Sequence, residues 1–284
     1  MSGLQRRLLA ALALLAAPAS GGGPSGGVRF CAFSGGQPAV QGMLDAFALE
    51  APAGLTAEAG SPVPVLDRGA LHQETGVTAR ALLSEMLAQS PSSLPEALSR
   101  RKVFLAIIPQ DKKLTDLPEF RSLRGVPLPD GRVWDDVRGV GFVAQDDGTV
   151  AVAAGEENFL EGAAPDRYPK GFLLAHEFSH AVHGYGLSTS ETAAIAAAYR
   201  ARKAGPLDFP SHYASTNELE YFAVSASSFF GRTLGGSDPE RDIRWIEQHD
   251  AAIFSVLGRA YGAPRPLWAP RRASYFSQLS PKTL

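Results

Sequence analysis

Cysteine is almost absent from this sequence, which excludes two ways of stabilising a fold. Cys31 is the only cysteine among 284 residues, so neither an internal disulfide nor a thiolate zinc site can form. We expect Cys31 to be a small buried hydrophobic residue rather than a nucleophile. A chain of this length with a hydrophobic fraction of 45% can bury a core that is stable without cross-links.

An excess of charge of either sign is also missing. Charged residues make up 20% of the chain and the net charge is -2, so neither nucleic acid nor an anionic membrane is expected as a partner. Beyond the N-terminus, no apolar run is long enough for a membrane helix.

The N-terminal segment has the three parts of a secretory signal. Arg6 and Arg7 precede an apolar run from Leu8 to Ala17, and the following Pro18-Ala19 completes a small-residue cleavage site. We therefore expect a signal peptide over residues 1–19 and a secreted or periplasmic protein with no membrane attachment after cleavage.

The remaining chain divides into three parts by composition. Residues 20–60 are rich in Gly and Pro and are interpreted as a linker or N-terminal segment. Residues 61–260 are predicted to form one domain, expected to be a monomer. Residues 261–284 are basic and rich in Pro, which indicates an irregular tail.

Within the domain, predicted strands come before most of the predicted helices. A helix is expected from an N-cap at Thr78, followed by a short helix from Ser92 or Ser93 to Arg100. The apolar run Val103–Ile108 predicts a buried strand. Two further apolar runs flank Asp146-Asp147-Gly148, a sequence typical of a hairpin turn; they are Val137–Ala144 and Thr149–Ala153.

The second half of the chain is predicted to be helical, near residues 172–185, 189–203, 215–231 and 239–259. The stretch from Asp111 to Asp136 contains many turn-forming residues and is expected to be mostly loop. This order favours an α+β fold, with a small twisted sheet and a hairpin in the N-terminal half.

The first of these helices carries His176-Glu177-Phe178-Ser179-His180. Histidines four residues apart lie on one face of a helix, so both imidazoles can reach one zinc ion. Glu177 lies beside them and is expected to act as a general base rather than as a ligand. The motif alone is equally compatible with an amphipathic helix that carries two surface histidines.

A catalytic zinc site needs a third protein ligand. His183 lies one turn beyond His180, where packing or a hydrogen bond to a ligand is the more ordinary role. Glu218 and Glu220 fall in the first turns of a later helix, and their spacing allows only one of them to face the metal. The pattern by itself leaves open which of the two it is.

The segment Tyr213–Ala223 resembles the third-ligand helix of the anthrax lethal-factor-like metallopeptidases. In that family a Tyr is followed by Thr-Asn, two variable residues, a ligand Glu, two aromatic residues and Ala. The sequence matches this pattern with Tyr213, Thr216-Asn217 and Glu220. His176, Glu177, Phe178 and His180 match the family's first motif. With weaker similarity elsewhere, the resemblance covers roughly residues 60 to 231. The weaker segments are Pro62–Val65, Val103–Ile108, Thr115–Glu119, Gly155–Asn158 and Asp166–Pro169.

The resemblance implies a zincin-like fold and a secreted zinc-dependent endopeptidase. It implies His176, His180 and Glu220 as metal ligands for Zn²⁺, and a Tyr213 hydroxyl that stabilises the oxyanion. The substrate is expected to be a peptide or protein, extended along the strand near residues 149–154. The alternative is a non-catalytic zinc-binding or surface-interaction protein on the same scaffold.

Three further observations accompany the motifs. Val224 stands where the family often has a second Glu, so an acceptor that steadies a ligand is expected to be missing. Glu156 and Glu157 end the second hairpin strand and are interpreted either as solvated charges or as the rim of a substrate cleft. Asp166, Arg167 and Tyr168 are interpreted as structural.

Overall fold

The computed structural model describes residues 63–66, 71, 73–128, 131–145, 147–160, 168–235 and 239–267. The predicted signal peptide, the linker with Cys31, Asp146, the pair Asp166-Arg167 and the tail from residue 268 lie outside the described residues. Within the described part of the chain, no helix has both the length and the apolar character needed to cross a bilayer.

The described strands form one mixed sheet. They are β1 (Val65–Leu66), β2 (Val103–Ile108), β3 (Gly139–Ala144) and β4 (Val150–Gly155), in the spatial order β1-β2-β4-β3. β2 runs parallel to both β1 and β4, and β3 runs antiparallel to β4. β3 and β4 form the predicted hairpin, in which Gly148 has a φ of 82° and donates its N–H to the carbonyl of Gln145 at 3.1 Å.

Two described helices precede the strands β2 to β4. They are α1 (Gln73–Leu87) and α2 (Ser93–Arg100). α2 has the predicted bounds, whereas α1 begins five residues before the expected N-cap Thr78. The prediction missed the first turn because its apolar face starts with the small polar Thr75, which is fully buried and hydrogen-bonded to Glu156 at 3.0 Å.

The C-terminal half is helical. It contains α3 (Phe172–Ala181), a π-helical turn (Val182–Gly186), α4 (Thr189–Ala204), α5 (Glu218–Phe229), α6 (Ile243–His249) and α7 (Ala251–Tyr261). The helix predicted over 239–259 is two helices, because Asp250 leaves helical geometry at φ -143° and caps α7 through Ile253 N–H. The fold is therefore α+β, with a small four-stranded mixed sheet and a helical C-terminal half, as predicted.

Both faces of the sheet are buried, which explains why the strands are apolar along their whole length. On one face, Leu105 and Ile107 of β2 belong to the core that contains the residues of α1, α3, α5 and α7. On the other face, Phe104, Ala106 and Ile108 pack against the stretch that was predicted to be loop. That stretch contains short 3-10 turns at Leu114–Asp116, Pro118–Leu123 and Trp134–Asp136.

Candidate metal centre

α3 is held in place before its first residue. Gly171 takes a φ of 71° at the N-cap, a conformation that favours glycine. Asn158 then joins the preceding loop to the helix, since its Nδ2 donates to the Pro169 carbonyl at 3.0 Å and its Oδ1 accepts from Leu174 N–H at 3.3 Å. Every residue of α3 is buried, so the two histidines lie in the interior rather than on a solvent-facing surface.

His176 and His180 meet one carboxylate oxygen of α5. Glu220 Oε2 lies 3.1 Å from His176 Nε2 and 3.5 Å from His180 Nε2. A tetrahedral ion with bonds of about 2.1 Å separates its ligand atoms by about 3.4 Å. Both distances from Glu220 are close to this value, and the ligand atoms of His176 and His180 lie within 4.8 Å of each other.

The start of α5 explains why Glu220 reaches the histidines. Asn217 caps the helix, and its Oδ1 accepts a hydrogen bond from Glu220 N–H at 2.9 Å. Glu220 is fully buried and faces α3, whereas the charge of Glu218 acts on Tyr199 of α4, whose pKa it helps to raise after burial. The fold thus brings Glu220 to the histidine pair and directs Glu218 to a different neighbour.

Glu177 is a second carboxylate in the same place. It forms, with His176 and His180, a group of buried side chains whose ligand atoms lie within 4.8 Å of one another. That spacing makes Glu177 a formal candidate for the third ligand as well. Glu220 is the better candidate because a single oxygen, Oε2, lies within 3.5 Å of both Nε2 atoms.

The two carboxylates differ in their electrostatics. Burial raises the pKa of Glu177 well above its usual range, and the charge of Glu220 adds to this effect. Burial also tends to raise the pKa of Glu220, but the charges and hydrogen bonds of His180 and His176 outweigh it and lower this pKa to about 2. Burial lowers the pKa of His176 and favours the neutral imidazole that binds metals.

Tyr213 lies beside the histidines on a short 3-10 turn that spans Tyr213–Ser215. Its ring centre is 6.3 Å from that of His176, with an angle of 32° between the ring planes. The structure therefore brings together all five residues singled out from the sequence, from α3, from α5 and from the turn before α5.

Two glycines of β3 belong to this site and were not predicted. A Cβ at Gly139 would lie 2.8 Å from Glu177 Oε1, and one at Gly141 would lie 2.5 Å from His180 Cδ2. The strand backbone therefore passes directly against the general-base candidate and one ligand candidate. The signal was present in the sequence, because alternate glycines in an apolar strand often indicate that another group approaches the backbone closely.

The similarity of this chain to known proteins lies among solved structures. No family model matches the sequence, and neither does any curated protein. Among solved structures, the chain is similar to the Pro-Pro endopeptidase from Paenibacillus alvei, with 21% identity and a TM-score of 0.46. The match covers 69% of this chain and 96% of that chain.

The predicted substrate strand near residues 149–154 is wrong. β4 occupies this position, and it is paired on one side with β2 and on the other with β3. A strand with partners on both sides has no free backbone groups for a peptide. In the described sheet β3 is the hairpin strand that lies at an edge, because β4 forms a parallel pair with β2 and leaves its hairpin partner outside.

The upstream carboxylates are structural. Glu156 is buried and accepts hydrogen bonds from Thr75 Oγ1 at 3.0 Å and from Gln110 N–H at 3.2 Å. Glu157 forms a two-pronged ion pair with Arg138, with Nε–Oε1 at 2.8 Å and Nη2–Oε2 at 2.6 Å. These contacts tie the ends of β2, β3 and β4 together, so neither carboxylate is available to select a substrate.

His183 lies in the π-helical turn that follows α3. Its ring packs against Phe222 of α5 at 5.1 Å between centroids, and neither ring nitrogen has a hydrogen-bond partner among the described residues. Burial lowers its pKa to about 3, so the ring stays neutral. Val224, one turn beyond Glu220, is fully buried and its side chain offers no acceptor.

Proposed function

We propose that this protein is a zinc-dependent endopeptidase of the lethal-factor-like type, with a zincin-like domain over residues 61–260. The observation that carries the proposal is the buried convergence of His176, His180 and Glu220, with Glu220 Oε2 at 3.1 and 3.5 Å from the two Nε2 atoms. Two imidazoles and one carboxylate form a donor set that suits zinc and leaves a fourth position for chemistry.

The surroundings of these residues fit a cation. Three polar side chains that converge in a dry interior are costly unless a charge or a hydrogen bond compensates them. Glu220 Oε1 has no hydrogen-bond partner among the described residues, and the Glu220 carboxylate stays anionic because its pKa is about 2. A divalent ion would complete the site. When bound, zinc polarises the scissile carbonyl and makes the attacking water more acidic.

The other residues have separate roles in the proposed reaction. Glu177 takes a proton from the attacking water and delivers it to the leaving amine. Glu177 must hold the proton between the two steps, and burial and the charge of Glu220, which raise its pKa, favour that protonated form. The Tyr213 hydroxyl donates a hydrogen bond to the oxyanion. An extended peptide substrate would add as a further strand along the outer edge of β3.

The test combines zinc content and peptide turnover on the same preparations, for wild type and Glu177→Gln. The amide keeps the volume of the carboxylate but cannot accept the proton. We expect near-stoichiometric zinc in both proteins and a fall in kcat of about 10²–10⁴-fold in the variant.

Turnover of Glu177→Gln at the wild-type rate would rule out this mechanism. A wild type that binds zinc but cuts nothing in a broad peptide library would favour the alternative, a zinc-binding or surface-interaction protein, to which the buried Val224 in place of a second Glu gives some support.

We also propose export through the segment 1–19, which would make the protein secreted or periplasmic. The mature chain is then expected to begin near Ser20 or in the following Gly-rich stretch. Intact mass spectrometry of the exported protein tests this, and a mass that still includes Met1 would contradict it.

A further inference from the structure

The turn that carries Tyr213 takes its shape from short-range hydrogen bonds. Its backbone bonds run from Ser215 N–H to the His212 carbonyl at 3.0 Å and from Thr216 N–H to the Tyr213 carbonyl at 3.1 Å. The Ser215 and Thr216 hydroxyls donate to the same two carbonyls, each at 2.7 Å. These bonds give the turn its shape, but they do not fix where it lies relative to His176.

Two side chains of α4 tie the end of this turn to a second helix, in addition to the packing of its buried Ala214. Tyr199 donates its hydroxyl to the Ser215 carbonyl at 2.8 Å, and Lys203 donates its Nζ to the same oxygen at 3.0 Å. The two donors are four residues apart, so they lie on one face of α4. Their shared acceptor is the last residue of the turn that begins with Tyr213.

The ring of Tyr199 contacts the segment that bears Glu220 as well. It lies 5.9 Å from the ring of Tyr221 and 5.5 Å from that of Phe209, between centroids. Tyr221 directly follows Glu220, and its own hydroxyl donates to Asp250 at 2.5 Å. Tyr199 thus lies where the Tyr213 turn and the Glu220 helix meet. Its hydroxyl bonds to the turn, and its ring packs against the helix.

We propose that Tyr199, assisted by Lys203, is a positioning residue that sets the place of the Tyr213 hydroxyl relative to the metal ligands. This inference rests on the proposed function. An oxyanion donor works only when it is held close to the position where charge develops, and a misplacement of about 1 Å can cost 10²-fold in rate. The hydrogen bond to Ser215 supplies that restraint from outside the turn.

The first variant is Tyr199→Phe, which keeps the ring contacts with Tyr221 and Phe209 but removes the hydroxyl. We expect kcat to fall about tenfold, and by no more than the loss caused by Tyr213→Phe, with KM and zinc content unchanged. When Tyr213→Phe is already present, adding Tyr199→Phe should cause no further fall in kcat, because there is no hydroxyl left to position. Losses that multiply would overturn the inference and indicate a general structural role.

The matched control is Tyr185→Phe, which removes a tyrosine hydroxyl from the π-helical turn and should leave kcat within twofold of wild type. Lys203→Met removes the exposed second donor without a risk to folding. We expect Lys203→Met to lower kcat less than Tyr199→Phe does, and this loss should also vanish in the Tyr213→Phe background.

Hydrogen exchange gives a readout that does not require activity. In zinc-loaded and zinc-free protein, Tyr199→Phe should speed exchange of the amides in residues 211–217 at least severalfold, while those of α3 stay unchanged. Unchanged exchange in residues 211–217 would overturn the positioning role of Tyr199 even if the protein is an active peptidase. Faster exchange in a protein without peptidase activity would show that the bond from Tyr199 to Ser215 holds the turn, but not that it serves catalysis. This result would contradict the proposed function.

Discussion

At the residue scale, this site depends on two buried carboxylates with opposite properties. Glu177 and Glu220 lie on different helices, and both approach the same pair of histidines. The hydrogen bonds from the histidines keep Glu220 ionised, whereas Glu177 has lost solvent and also faces a neighbouring negative charge. In the proposed reaction, the anionic Glu220 would hold the metal and Glu177 would carry the proton between its two transfers.

Glu220→Ala should remove zinc far more readily than Glu218→Ala. A site with three protein ligands that is reduced to two loses most of its chelation, and Glu218 does not belong to the group around the histidines. Metal analysis after dialysis against a weak chelator measures the difference. Added zinc should also raise the Tm of wild type and Glu218→Ala but not that of Glu220→Ala, because only a bound ligand stabilises the folded state. Equal zinc loss in the two variants would mean that Glu220 is not the ligand.

At the scale of elements, β3 is more than the outer strand of the sheet. A β-bulge between Val140 and Val143 shifts the register there, and the extra residue in this interval re-aims the side chains that follow Gly139. As a result Phe142 packs edge-on against Tyr185 of the π-helical turn, at 5.4 Å between centroids. The strand therefore lies against Glu177, His180 and the π-helical turn that follows α3.

Alanine at the two glycines of β3 should separate chemistry from metal binding. At Gly139 the new Cβ meets the flexible end of Glu177, with Oε1 at 2.8 Å, so Glu177 can move away. We expect Gly139→Ala to keep its zinc and to lose about 10–10²-fold in kcat, because the base is displaced. At Gly141 the Cβ meets His180 at its Cβ, 2.6 Å away, which cannot move without the helix backbone.

Gly141→Ala should therefore lose zinc affinity and destabilise the protein by about 1–3 kcal/mol through overpacking. Gly258→Ala is the control, since a Cβ there meets nothing within 4 Å and the residue lies inside α7. It should be neutral or slightly stabilising. Metal analysis, thermal unfolding and peptide turnover distinguish the three variants. Full zinc and full turnover in Gly141→Ala would show that the strand does not press on His180.

At the scale of the whole molecule, a buried ion pair connects the C-terminal helices. Arg202 of α4 and Asp250, the cap of α7, are each 4% exposed and form an ion pair through Arg202 Nε. Arg202 also donates to the carbonyls of Asp208 and His249, while Tyr221 of α5 donates to Asp250 at 2.5 Å. One guanidinium thus joins α4 to α7 and, through Asp250, to the helix that carries Glu220.

Arg202→Met should destabilise the protein by about 3–5 kcal/mol, because it leaves the carboxylate of Asp250 buried without its counter-charge. Chemical denaturation at neutral pH measures the loss. The exposed Arg244→Met is the control and should stay within about 0.5 kcal/mol of wild type. Combining Arg202→Met with Asp250→Asn should recover part of the stability, since the unpaired charge is removed. A double variant no more stable than Arg202→Met alone would show that the lost charge pairing is not the cause.

The sequence by itself determined the features that depend on local geometry. Histidines four residues apart share a helix face whatever surrounds them, so His176, Glu177 and His180 could be placed together from spacing alone. The hairpin of β3 and β4 followed from a turn between two apolar runs, and the buried strand β2 from an uninterrupted apolar run. These patterns are read within one element or across one turn, where distance along the chain and distance in space agree.

Only the tertiary structure decided the features that join distant segments. Spacing did not decide whether Glu218 or Glu220 faces the histidines, and the resemblance favoured Glu220. The docking of α5 on α3 is what brings Glu220 Oε2 to 3.1 Å from His176 Nε2. The parallel pairing of β2 with β4 decided which hairpin strand lies at the edge, and no local pattern specifies that pairing. The close approach of Gly139 to Glu177 and the bond from Tyr199 to Ser215 likewise depend on how elements pack, which side-chain periodicity along one element does not encode.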